Sequence, residues 1–478
     1  MYEFAGSAKE LEEYLDKTTV KLIMNRLSKQ YSDEVETFIL EDKYIDAEWR
    51  NEYSLFYSKT FYDEISKFTK RIHLISKDVN SLDKVREENY LGYIVLRPIN
   101  IEDPEIPKIL KIIVKPRKNL FNIKNNESLY LAKCPIPAHL GEHDTTFLIE
   151  SFPFYEQDSV VTACAHADMW MVAEYMHRRF GFNKPTIEKL VLTLAPVHGR
   201  VIPTRGLILE QVCQTLNSLG YSTSIRVGLT EEEKNKILDH VDSYLESGLP
   251  TILYHKHHVI VITGHTLDGD QRDYIIYDDS GAHLSKLLGL SESSIPPFAA
   301  RISRRKLFNY IKGIGHTIAI NIEFEKLFYP HESVSKYTNL FFEEFSKKIV
   351  QKAKTRYNYT EEKTKKFSKA LNKYFKSLRK RFLIADSREF KRFCIKNGID
   401  AFKDIPLPHY IWIVEIYKSG NKPYGILILD ASAYKYDFTS SLIAKWIGNK
   451  IDIVRPKKKE CKVNTTPKIY SNLSPVLV

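Results

Sequence analysis

The sequence predicts an α+β protein, a helical half joined to an antiparallel sheet half, with further α+β regions before and after them. Three observations carry this. From Ala163 onward, Ala165, Met169, Val172, Ala173 and Met176 recur at helical spacing. Between Thr251 and Tyr277 come two apolar strands joined by a short turn, then a third apolar run. Ile318-Ala-Ile-Asn-Ile-Glu-Phe324 alternates as a half-buried strand does.

At 478 residues the chain has room for two or three domains with cores of their own. Residues 1 to about 90 read as helices: Leu11, Tyr14, Leu15 and the run Val20 to Leu27 share an apolar face, and Ile39 to Phe68 carries aromatics at mixed spacing. Asn89 to Ile99 is a buried-strand signal stopped by Pro98, and Arg97 beside it reads as a turn-closing residue. Lys108 to Val114 and Phe147 to Glu150 are further strands. This region, 1–145, is α+β and carries no catalytic motif. In 146–330 the expected helices start at Ala163, near Pro185 and at Thr204, the last closed by Gly220. A strand over Tyr221 to Val227 and a helix over Glu231 to Leu245 follow. Composition shifts after Pro330, so 331–478 is read as a C-terminal domain. It opens with one or two long helices over Ser335 to Arg381 and closes with a hairpin, His409 to Tyr417 and Tyr424 to Asp430.

Chemistry concentrates around Cys164. Thr162 is placed to cap the helix behind it, which sets Cys164 in the first turn, where N–H groups point outward and the dipole favours a thiolate. Gln157 lies on the loop entering that helix, where a side-chain amide can donate to an oxyanion. His258 opens the second strand of the 251–264 hairpin, and Asp278-Asp279 close the next strand. Gln, Cys at a helix start, His opening a strand and Asp closing the next one, in that order, resemble the papain-like cysteine peptidase superfamily. The likeness is to its C39-like branch and covers residues of about 150–290. His258-Val-Ile-Val-Ile-Thr-Gly264 resembles that branch's His-x-Val-Val-x-x-Gly strand, and Tyr277-Asp-Asp-Ser280 its strand-ending Asp. Six residues rather than the usual five separate Gln157 from Cys164, and no Gly or Trp follows the Cys.

The resemblance implies a papain-like domain with Cys164 as nucleophile, His258 as general base, Asp279 orienting His258 and Gln157 supplying an oxyanion donor. Asp278 rivals Asp279, because one residue of slip reverses the face, and His257 rivals His258. No cofactor and no metal are expected: His255 and His257 share a strand face by alternation, but no acidic or Cys partner stands at zinc-ligand spacing. The expected reaction is hydrolysis of a peptide or isopeptide bond of a protein or peptide substrate through a thioester. A catalytically silent papain-fold binding protein and a Cys-dependent acyltransferase are the alternatives.

Five cysteines, widely spaced at 134, 164, 213, 394 and 461, form neither a disulfide framework nor a CxxC pair. The N-terminus shows no signal-peptide pattern, and no run of about 18 apolar residues occurs. A cytoplasmic protein without a transmembrane segment is expected, and exported cell-wall amidases with the same site order are disfavoured. The net charge of +11 is local. Lys347 to Arg381 holds 14 Lys/Arg against Glu361 and Glu362, a surplus of +12. That segment reads as a solvated helix face, with nucleic acid or an acidic protein as possible contacts. Oligomeric state is not legible in the sequence.

Overall fold

The computed structural model describes residues 2–60, 65–99, 108–124, 127–141, 146–195, 199, 201–268, 271–291, 293–325, 327–418, 422–432, 441–455, 459–463, 467–468, 470 and 474–475. Helices and antiparallel sheets alternate throughout, which makes the protein α+β. Two compact units emerge: Met1–Val241 with Leu249–Glu323 and Leu473–Val478, and Asp242–Gly248 with Phe324–Asn472.

Within the first unit, one sheet orders its strands Tyr2–Ala5, Thr37–Tyr44, Thr69–Ile75, Tyr90–Leu96, Ile109–Val114 and Phe154–Tyr155. Three of these correct the expectation of helices up to residue 90. Thr37–Tyr44 buries its first four residues without alternation, because its start is covered on both faces, so its apolar residues do not mark a strand in the sequence. The second sheet runs Ser222–Gly228, Thr317–Glu323, Thr251–His255, His258–Asp268, Gln271–Tyr277 and Ala299–Ser303, with Ser128–Leu131 also pairing on His258–Asp268.

The expected break near residue 145 does not divide the unit. Lys111 pairs with Tyr155 and Leu129 with Thr266, so segments on both sides of 145 share both sheets. Arg97 shows how tightly they are joined. Fully buried, it grips both Glu52 oxygens at 2.9 and 3.0 Å and donates to the carbonyls of Ile109 and Glu156, each at 2.5 Å. It is an internal clamp rather than a turn-closing residue. Arg97→Met strands the Glu52 carboxylate in the core, and a loss of about 3–5 kcal/mol in urea unfolding is expected.

Gly264 explains its place six residues after His258. A Cβ there would stand 2.3 Å from the Tyr130 carbonyl oxygen, so only glycine lets Ser128–Leu131 close on the strand. Gly264→Ala is expected to cost about 3 kcal/mol in the same measurement.

The second unit carries a sheet ordered Arg379–Asp386, Tyr410–Tyr417, Gly425–Asp430, Leu442–Ile447, Lys450–Ile453 and Lys459–Lys462. Leu383, Phe390, Ile411, Ile413, Ile428 and Trp446 fill its core. Two helices precede that sheet, His331–Tyr357 and Glu361–Ser377, with Phe342, Phe345 and Phe375 in contact between them. The basic stretch is not one surface. Lys363, Lys365, Lys366 and Lys369 lie on the second helix, whereas Arg381, half-buried on a strand, pairs with Glu246 and Glu415. No helix among the described residues is long and apolar enough to cross a membrane.

Candidate active site

The entrance to the site is shaped by one aspartate. Asp158 Oδ1 accepts from the backbone N–H of Val160, Val161 and Thr162 and from the Thr162 hydroxyl, while Oδ2 accepts from Tyr57. This folds residues 158–162 into a tight turn that delivers the chain to Cys164, the first residue of the helix Cys164–Phe180. Because Asp158 has captured Thr162, the cap is Ala163, whose N–H donates to His166 Nδ1 at 3.1 Å. Burial pushes the His166 ring down to about 4, so it serves as a neutral acceptor. Sequence reading missed Asp158; the signal it offered was Asp-Ser-Val-Val-Thr, an Asx-turn pattern.

From Ala165 to Met176 the helix is buried, and it packs on the strands Thr251–His255 and His258–Asp268. Those strands are joined by Lys256 and His257, both at positive φ, 49° and 66°. A two-residue turn of this kind fits the strand twist. It also separates the histidines. His257 stands exposed in the turn, His255 faces inward with Nδ1 3.0 Å from Thr317 Oγ1, and His258 begins the return strand half-buried. Strand alternation therefore does not pair His255 with His257.

Asp278 and Asp279 follow directly on Gln271–Tyr277 in a turn, so strand alternation does not hold them to opposite faces. His258 Nε2 lies 2.8 Å from Asp278 Oδ1, 3.5 Å from Asp279 Oδ1 and 3.2 Å from Ser280 Oγ. Asp278 is saturated: Oδ1 also accepts from Gly281 N–H at 2.9 Å, and Oδ2 from the N–H groups of His283 and Leu284, both at 2.8 Å. Burial works against its charge, but the His258 ring and these donors outweigh it and hold the carboxyl below its usual range.

Burial likewise opposes charge on His258. The hydrogen bond to Asp278, the Cys164 thiol nearby, and the Asp278 and Asp279 charges prevail and raise the ring to about 12. Cys164 itself is half-buried. Thus the structure brings a thiol at a helix start into the neighbourhood of an imidazole held by a carboxylate.

Asp279 differs. It is buried, neither side-chain oxygen accepts a hydrogen bond among the described residues, and burial pushes its carboxyl up to about 7. Asp168, one turn after Cys164, is buried, and neither of its oxygens has a hydrogen-bond partner among the described residues. Burial, then the neighbouring Asp279 charge, raise it far above the carboxylate range. The Gln157 amide is half-buried and makes no hydrogen bond among the described residues. Its loop is held from both sides: the Glu156 carboxylate pairs with buried Arg26, and the Glu156 carbonyl accepts from Arg97. Arg26 also donates to the Asp279 carbonyl at 2.7 Å, so one guanidinium ties the Gln157 loop to the aspartate turn.

No protein-family model matches this chain, and no curated protein matches it. Among solved structures, UfSP from C. elegans aligns over 36% of this chain and 32% of its own length, at 12% identity and a TM-score of 0.25. The match thus spans about a third of that protein, too slight a likeness to bear on fold or function.

Proposed function

We propose that this protein is a cysteine hydrolase of papain-like design, opening a peptide or isopeptide bond by way of a thioester on Cys164. The observation that supports this is the His258 ring, held at Nε2 by a saturated buried carboxylate near a thiol at a helix N-terminus. In this reading Cys164 Sγ attacks the carbonyl carbon. The oxyanion forms at the helix start, where the backbone N–H groups of the first turn lack intrahelical partners. His258 passes its proton to the leaving amine, and the C–N bond breaks. Water then attacks the thioester, His258 takes the water's proton, and the acid product leaves as the thiolate re-forms.

Asp278 takes the orienting role in this assignment, since it makes the shorter contact and is fixed by three backbone donors. Gln157 is assigned to the oxyanion through its place on the clamped loop. The reagent that tests the proposal is iodoacetamide, with modified cysteines mapped by mass spectrometry. Cys164 should be alkylated at least about tenfold faster than Cys213 and Cys461, which are also half-buried. Equal rates at the three thiols would remove the proposal. A silent binding protein makes the opposite demand. It would survive Cys164→Ala and fail on charge reversal at Lys365, Lys366 and Lys369.

A further inference from the structure

We propose that His258, Asp278 and Asp279, backed by Asp168, form a site for a divalent transition metal of the Zn2+ class, and that the filled site holds the thiol centre inactive. The regulatory half rests on the hydrolase reading above; the metal half does not.

One ligand atom from each of His258, Asp278 and Asp279 lies within 4.8 Å of the others. The imidazole nitrogen stands 2.8 and 3.5 Å from the two carboxylate oxygens. Two ligands at about 2.0–2.2 Å in a tetrahedral shell lie roughly 3.4 Å apart, so these side chains need only small rotations to converge on one ion. Imidazole nitrogen with carboxylate oxygen is a donor set that Zn2+ accepts.

Asp168 supplies an independent observation. It comes from a different element, the Cys164 helix, is fully buried, and among the described residues neither its oxygens nor those of Asp279 have a hydrogen-bond partner. Asp279 is its strongest charged neighbour, followed by His258 and Cys164. Asp278 and Asp279 thus flank one imidazole, with the Asp168 carboxyl in electrostatic reach of it. Arg26 does not relieve them: its guanidinium goes to the Glu156 carboxylate and the Asp279 and Pro296 carbonyls. Buried carboxyls pushed up by burial ionise when a dication comes among them, because its charge offsets theirs.

Filling the site takes the Nε2 lone pair of His258 and ionised carboxylates, so protons held on these groups leave to solvent as the metal binds. With its lone pair on the metal, the ring can no longer shuttle a proton for Cys164.

The test titrates chelator-stripped protein with Zn2+ alone in calorimetry, in buffers of different ionisation enthalpy. One Zn2+ per chain is expected, with net proton release. Binding should weaken at least about tenfold in Asp279→Asn and in Asp168→Asn and persist in Cys164→Ala. Co2+ replaces variants where these fail to fold: the visible spectrum of the wild-type complex should be that of nitrogen and oxygen ligands, without a thiolate charge-transfer band. Slowed iodoacetamide labelling of Cys164 in Zn2+, restored by EDTA, supports the regulatory half. No binding at about 100 μM Zn2+, a thiolate band with Co2+, or binding that both Asn variants keep would overturn the site. Should Zn2+ bind as described while Cys164 reacts no faster than Cys213, the metal site stands and the hydrolase reading falls. A fast Cys164 without metal binding leaves the hydrolase standing and removes the metal site.

Discussion

His258→Gln slows alkylation of Cys164 at pH 7 by about a hundredfold or more, the low end of what a positioned acid–base group contributes. The ring matters because of what is arranged around it. Asp278 Oδ1 at 2.8 Å and the Cys164 thiol act on one imidazole, and together with the aspartate charges they keep it protonated to about pH 12. Through the neutral range the thiol therefore has a cationic neighbour that can give a proton to the leaving group. Glutamine keeps a donor for Asp278 and much of the volume, but it carries no charge and no transferable proton. The other cysteines are internal controls. Cys213 and Cys461, half-buried, should keep their rates. Cys134 and Cys394, buried, should stay unreactive, and their labelling would reveal a collapsed fold instead. A His258→Gln protein that alkylates Cys164 at the wild-type rate removes the imidazole from the mechanism.

What could be read in the sequence was local. The Cys164 helix, the strand beginning at His258 and the aspartates closing the next strand each announce themselves within a dozen residues, through helical spacing or a tight turn between apolar runs. Contacts between distant segments left no such trace. Nothing near Arg26 indicates that it holds Asp279, 253 residues later. Nor does Lys111 advertise its pairing with Tyr155 across the expected domain break. The helix expected from Thr204 begins only at Leu209, and Gly206, in the left-handed region at φ 81°, sits in the stretch that stays non-helical. Choosing between the two aspartates was beyond pattern reasoning for a physical reason. Alternation assigns faces only inside a strand, and both residues lie just past its end, each within 3.5 Å of the ring.

Those two neighbours should answer the same substitution with opposite signs. In Asp278→Asn one oxygen becomes an NH2 group. Whichever way the amide turns, a donor then meets donors: either Gly281 N–H and His258 Nε2, or the N–H groups of His283 and Leu284. Losing a charge-assisted set of this kind costs about 3–5 kcal/mol, and the turn that carries the carboxylate loosens with it. Asp279→Asn breaks no hydrogen bond, because neither oxygen has one among the described residues. Burial holds the Asp279 carboxyl near 7, whereas in the unfolded chain it titrates near 3.8. Between those values the folded state binds the extra proton, so the wild type loses stability as pH rises through that window. Asparagine removes the loss. With chelator present, the variant should gain about 1–3 kcal/mol over wild type at pH 8 and nothing below about pH 4. Urea unfolding of both variants at the two pH values reads the contrast directly. If Asp279→Asn proves the costly change at pH 8 and Asp278→Asn the harmless one, Asp279 is the residue that orients His258.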